Sequence, residues 1–371
     1  MYERSLRVTI YILSVVIFLS GCRSNPDKIV PTQITPVMST TTVESSPIAE
    51  PIQFIELFIL DDWELAAGYS MDFSGIAWSA DSHSLAVSYC AERDQSTLSC
   101  EKSVIVIWDI SSGEKAQVIE EEGTTVGLDW SADGRTLSYG LSNGRLKLWD
   151  TTDEKEVNEL EGHPYPIQSL EWSPDGDTLA SGSLKEIYFW NTNDRIGEIS
   201  GEDLFPSGHS INRVSWSPNG LILATGGADD SICLWDVATK DLIRVLNKQG
   251  EDAEMVGGIY TPIAWSPDGK TLATSNIHSI QLWDVETGNL IVSRDQYEAV
   301  SLSWSPDGNM IASSNGIEIN IRNPDDLELI TTLMLEDEYG FEPVEVVWSP
   351  DSHSLAAVDG FGEVILWGRL E

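Results

Sequence analysis

Five histidines, four cysteines and a large excess of carboxylates are the side chains that could do chemistry in this 371-residue chain. The histidines are His83, His163, His209, His278 and His353, and none stands in a His-Glu-x-x-His arrangement. No Cys-x-x-Cys pair is present, so a transition metal meets no visible ligand set. A Gly-x-Ser-x-Gly nucleophile elbow, a P-loop and a dinucleotide fingerprint are equally missing. Aspartate-glycine pairs at Asp175-Gly176, Asp268-Gly269 and Asp307-Gly308 invite a calcium reading. They recur at turns, however, and lack the alternating oxygen ligands of an EF-hand loop. The spacing points to no catalytic residue, no metal and no cofactor.

The same residues sit at regular places in a larger pattern. Seven times, at intervals of roughly forty to fifty residues, the chain writes Trp-Ser, a tight turn, a short apolar run, and a second apolar run ending at or near Trp-Asp. The first tryptophans are Trp78, Trp130, Trp172, Trp216, Trp265, Trp304 and Trp348. The closing positions are Trp108, Trp149, Trp190, Trp235, Trp283, Arg322 and Trp367. Ser-Pro-Asp-Gly at Ser173–Gly176, Ser266–Gly269 and Ser305–Gly308 suits a type I turn. Each unit reads as a four-stranded antiparallel sheet with two apolar faces, which must stack on a neighbour at both sides. Seven such sheets closing on themselves give an all-β fold, a seven-bladed β-propeller.

On these residues the chain resembles WD40-repeat proteins over about 52–371. The Trp-Asp pair stands at Trp108-Asp109, Trp149-Asp150, Trp235-Asp236 and Trp283-Asp284. The resemblance implies a hydrogen-bonded tetrad within a blade, complete only in blade four as His209, Thr225, Asp229 and Trp235. Blade three keeps His163, Ser181 and Trp190, and blade six has Arg322 where tryptophan belongs. Blades one, five, six and seven are therefore expected to rely more on apolar stacking. Only four residues follow Trp367, too few for a fourth strand, whereas Ile52–Leu60 lies surplus before the first unit. That strand is expected to complete the last blade and latch the ring, since pairing removes an open edge.

Residues 1–21 read as a lipoprotein signal peptide. Arg4 and Arg7 precede an apolar run from Val8 to Leu19 that ends in Leu19-Ser20-Gly21-Cys22. The small residues before Cys22 resemble the bacterial lipobox, in which the cysteine becomes lipidated; the alternative is a signal anchor with an incidental cysteine. Residues 22–51 are dense in Ser, Thr and Pro and read as a flexible linker of roughly 30 Å reach. The expected address is an exported bacterial lipoprotein, on the outer face of the cytoplasmic membrane or in the outer membrane. Cys90 and Cys100 bracket a long turn between two antiparallel strands, and export favours a disulfide between them.

Net charge is −39, from 21 Lys and Arg against 60 Asp and Glu, which disfavours nucleic acid. Much of this charge is a solvated surface in the plainer reading. The other reading starts from acidic, aromatic loops that a propeller places on one face, holding Trp63, Tyr69, Phe205, Tyr260, Tyr339 and Phe341. Aromatics ringed by negative charge suit a protein partner with a basic surface; Trp63 alternatively packs as a plug over the ring. The sequence thus points to a monomeric, non-catalytic, membrane-tethered interaction scaffold. Alternatives are a small-molecule or glycan sensor using the central channel and, behind it, a propeller hydrolase.

Overall fold

The computed structural model describes residues 53–60, 73–94, 99–200, 211–227, 230–246, 261–276, 278–296, 299–334, 343–359 and 363–370. Every described residue lies in one compact unit, Glu50–Glu371. Its strands form seven four-stranded antiparallel sheets, with no helix among the described residues. The strands of each sheet, called a to d here, run in order from the ring axis outward. The a strands are Phe73–Trp78, Thr125–Trp130, Ser169–Trp172, Ile211–Trp216, Ile263–Trp265, Ser301–Trp304 and Pro343–Trp348. They neighbour one another in sequence order, and the last returns to the first, so the sheets form a closed seven-bladed β-propeller.

Closure takes the expected form. Blade seven has only three strands of its own, and Gln53–Leu60 supplies the fourth, antiparallel to Val364–Leu370. Its register runs from Gln53 opposite Leu370 to Leu60 opposite Val364, with a bulge after Glu56. The outermost strand of blade seven thus comes from one end of the propeller sequence and its partner from the other.

The core lies between sheets. Alternation along each strand sends one set of apolar residues to each blade face. Every pair of adjacent blades then shares a buried cluster, giving seven clusters for seven interfaces. The seam between blades one and seven is packed like the others, with Ile76, Trp78 and Val106 against Val358, Val364 and Leu366. Gly182 shows how close the blades come: a Cβ there would meet Ile211 Cγ2 at 2.8 Å.

The first tryptophans do more than fill space. Trp130 Nε1 donates to the Ala77 carbonyl at 3.2 Å, Trp216 to Glu171 at 2.9 Å, and Trp265 to Ser215 at 3.2 Å. Each indole reaches the residue just before the tryptophan of the preceding blade. Trp78 does the same across the seam, to Val347 at 3.2 Å.

The turn after each a strand explains the recurring aspartates. Ser266 Oγ donates to Asp268 Oδ1 at 2.7 Å and accepts from Thr271 N at 2.9 Å, while Lys270 N donates to Asp268. The Ser266 hydroxyl, then the Lys270 amide, hold the Asp268 carboxyl below its ordinary pKa. Gly269 takes the left-handed conformation that ends the turn. Ser82 and Ser352 occupy that left-handed position in blades one and seven, where a side chain costs about 1 kcal/mol. Their hydroxyls offset that cost by accepting from neighbouring turns, Asp351 N to Ser82 at 3.1 Å and Asp307 N to Ser352 at 2.9 Å.

Candidate functional site

The position before each first tryptophan faces the next blade, and in two blades it carries an acid. Asp129 Oδ2 accepts from Trp172 N at 2.6 Å, and Glu171 Oε2 accepts from Trp216 N at 3.2 Å. These carboxylates join neighbouring a strands that have no backbone ladder between them. Three residues before the tryptophan stand Arg213 in blade four and Glu345 in blade seven, each just after a bulge in its a strand. A bulge re-aims the side chain that follows it. Arg213 Nη1 meets Glu345 Oε1 at 3.1 Å, an ion pair between blades three steps apart in a ring of seven. It is a strut across the axis.

The surrounding cavity has a volume of about 440 Å³ and is lined from all seven blades. Protein surrounds these charges, yet the channel admits water, and the Arg213 side chain keeps 42% of its surface exposed. Burial pushes the Asp129 carboxyl up to about 7, against the pull of the Trp172 and Trp130 amides and Arg213. Burial, and then the Asp129 charge, push Glu171 up to about 8. Glu345, Glu171 and Asp129 together outweigh desolvation and keep Arg213 protonated. Sequence reasoning missed this quartet. Its signal was available: positions one and three before each Trp-Ser are small or apolar in most repeats and ionisable at these four.

The polar bridge inside each blade is more varied than the tetrad implied. In blade four Trp235 Nε1 donates to Thr225 Oγ1 at 2.9 Å; His209 and Asp229 lie outside the described residues. Blade three joins Trp190 Nε1 to Ser181 Oγ at 2.7 Å and Ser181 to His163 Nε2 at 2.6 Å. Burial, then the Arg195 charge, depress His163 to about 3, so its ring is neutral.

Blades five and six, expected to rely more on apolar stacking, keep polar bridges as well. Blade five retains the Trp283 to Thr274 bond at 2.9 Å. In blade six Gln296 takes the histidine's place: its Oε1 accepts from Ser313 Oγ and from Arg322 Nε, both at 3.1 Å. Arg322 also donates to the Leu327 carbonyl, so the guanidinium replaces the indole as donor. Blade two uses Glu121 at the same place, accepting from Tyr139 Oη at 2.6 Å and paired to Lys147 at 2.9 Å. Blades one and seven carry Val87 and Ala357 at that strand-b position and are apolar there, as expected.

Cys90 and Cys100 are joined by a disulfide, with Cα atoms 5.7 Å apart, at the end of the hairpin of strands b and c of blade one. Cys233 is buried in strand c of blade four. Replacing Cys90 and Cys100 by serine should lower stability by about 3 kcal/mol, the value for closing a short loop. Denaturant melts of the double variant would read this, with equal midpoints overturning it. Cys22 lies outside the described residues, as do Trp63, Tyr69, Phe205, Tyr260, Tyr339 and Phe341.

Comparison with known proteins bears on the repeat itself. The WD domain, G-beta repeat family matches residues 154–191, which hold strand d of blade two and strands a to c of blade three, and residues 203–236, which hold strands a to c of blade four. The chain carries WD40 repeats. It is similar to "Cell division cycle 20.1, cofactor of APC complex" of Arabidopsis thaliana, at 28% identity over 198 residues, 52% of this chain and 43% of that protein. Actin-interacting protein 1 of Drosophila melanogaster is 25% identical over 233 residues, 50% of this chain and 38% of that one. WD repeat-containing protein slp1 of Schizosaccharomyces pombe is 28% identical over 138 residues, 36% of this chain and 27% of its own. The chain spans less than half the length of each of these relatives.

Proposed function

We propose that this protein is a non-catalytic interaction scaffold, tethered to a membrane through Cys22, that docks a protein partner on the loop face of its propeller. One observation carries the reading: the course of the first strand. Gln53 pairs with Leu370, beyond Trp367, so the chain enters the ring on the face of the Ser-Pro-Asp-Gly turns. The connections from strand d to the next strand a, and from b to c, open on the opposite face. In this reading the linker joins the propeller on the turn face, and the opposite face stays free for a partner.

The names of the relatives support the same reading, since a cofactor of a complex and an actin-interacting protein both work through other proteins. The partner has a basic surface, matched to the acidic loops that hold Trp63, Tyr69, Phe205, Tyr260, Tyr339 and Phe341. The setting is the outer face of the cytoplasmic membrane or the outer membrane of a bacterium, reached through the signal peptide.

A second reading has a specific observation behind it: Asp129, Glu171, Arg213 and Glu345 converge on the axis, as a channel-binding sensor would require. Each is already committed to another part of the ring, so the scaffold reading stands first.

Crosslinking in intact cells followed by solubilisation is the test. The wild-type chain is expected to capture one defined protein, and Trp63→Ala to reduce that capture about tenfold or more, as loss of an aromatic anchor does. Equal capture by wild type and variant removes Trp63 from the interface. Capture by neither sinks the scaffold reading.

A further inference from the structure

The outer strands of three consecutive blades break a rule that the other four keep. The residue of strand d opposite the closing position is charged in four blades: Lys115 opposite Trp108, Glu156 opposite Trp149, Arg195 opposite Trp190 and Glu56 opposite Trp367. In blades four, five and six it is leucine. Leu242 stands opposite Trp235, Leu290 opposite Trp283 and Leu329 opposite Arg322. Each leucine is followed by an isoleucine that the ladder skips. Blades two, three and seven also skip an aliphatic residue, Val157, Ile196 and Leu57, so it is the doubled leucine-isoleucine pair that sets these three blades apart.

All six side chains are exposed, Leu290 by 47% and Ile291 by 53%. In blade four the turn after strand a adds Leu221, 65% exposed, where other blades carry residues such as Arg135, Asp177 or Lys270. An aliphatic run over three blades of a chain with net charge −39 is not explained by folding, because none of these residues reaches the core.

Its position identifies the occupant. Strand d begins beside the Ser-Pro-Asp-Gly turns, so the leucines line the rim of that face. The chain enters the ring on the same face, at blade seven, which adjoins blade six. We infer that this sector of the rim lies in the interface of a lipid bilayer when the chain is anchored through Cys22, tilting the propeller with its loop face outward. The inference rests on the tethered reading above. The exposed apolar side chains of this run are all aliphatic, and the arginines of the same strands are already engaged, Arg244 with the Thr287 and Glu286 carbonyls and Arg294 with Glu328. Such a surface suits the acyl boundary of a bilayer, whereas protein interfaces concentrate aromatics. The carboxylates nearby, Asp241, Glu286 and Glu328, favour a surface rich in zwitterionic lipid.

The test uses the full lipidated chain reconstituted in phosphatidylcholine vesicles. A fluorophore is attached at Leu290→Cys or at Ile317→Cys, the latter an exposed residue between strands b and c of blade six, on the opposite face. Cys90 and Cys100 are bonded and Cys233 is buried, so the introduced thiol takes the label. Nitroxide-bearing lipid is expected to quench the Leu290→Cys label about twofold or more over the Ile317→Cys label. Mixing in phosphatidylglycerol is expected to shrink the difference.

Equal quenching at both sites, with the chain still vesicle-bound, overturns the rim contact and leaves the tether standing. A chain with intact Cys22 that is recovered only in the soluble fraction of cells overturns both. A Leu290→Cys label that is shielded in native membranes but unquenched by lipid assigns the rim to a protein partner instead, and also overturns the proposal.

Discussion

A chain that begins after Leu60 is expected to lose its cooperative melt, while one that begins at Glu50 keeps it. Residues Gln53–Leu60 supply the fourth strand of blade seven, with seven residue pairs against Val364–Leu370. A strand of that length contributes about half a dozen backbone hydrogen bonds at roughly 1 kcal/mol each. Leu60, 3% exposed and packed in the cluster of the seam, adds about 2 kcal/mol. Phe54 also lies 5.9 Å from Trp348, ring to ring. The sum rivals the whole stability of an ordinary domain, about 5–15 kcal/mol. Removal would in addition expose Val364–Leu370 as an unpaired edge, a template for aggregation. Near-ultraviolet dichroism and thermal melts of the two chains would show the loss, and a peptide covering the missing strand should restore it in trans. A shortened chain that melts within a few degrees of the longer one would remove the latch from the account of stability.

The second large effect is a stability that declines as pH rises. In the folded ring Asp129 is raised from 3.8 to about 7 and Glu171 from 4.5 to about 8, chiefly by burial. Between those values and their unfolded ones the folded chain binds protons that the unfolded chain has released. Stability contributed by these groups is therefore fully present below the unfolded pKa values and is lost as pH climbs through about 7 to 8. The turn aspartates act in the opposite direction. Asp133 and Asp268, held below 3.8 first by their serine hydroxyls, lose their contribution only as pH falls below that value. The melting temperature should thus peak on the acid side of neutrality.

Each axial carboxyl is worth of the order of 2 kcal/mol across this window, less than its full shift because water enters the channel. The double variant Asp129→Asn, Glu171→Gln should flatten the slope between about pH 5 and 8, and Arg213→Met should steepen it by leaving three acids on the axis with no cation. Melts of the three chains over that range make the comparison. If the double variant keeps the parental slope, the dependence belongs to the surface charge and not to the channel.

The features legible in the sequence were those that repeat. The Trp-Ser turn, the aspartate within it and the closing tryptophan occur in most units, because each does the same local work in every blade, and seven copies expose a pattern that one would hide. The surplus strand before the first unit was legible by counting. The disulfide was legible because both cysteines sit in one hairpin, ten residues apart. The axial quartet was not. Arg213 and Glu345 are 132 residues apart, and each looks like an ordinary outward residue within its own repeat. Gln296, Ser313 and Arg322 escaped for a related reason: a substitution reads as the loss of a motif until its new partner is known.

By itself the amino-acid sequence determined the number of blades, the order of their strands and the way the ring is latched. Those follow from local alternation, turn chemistry and the tally of strands, all written along the chain. Only the tertiary structure decided which side chains meet on the axis, which blades share polar bridges of their own, and that the leucines of three blades lie on the face where the chain enters. The reason is geometric. Ring closure turns residues far apart in the chain into neighbours, and a bulge of one residue decides whether a side chain faces a neighbouring blade, the channel or the outside.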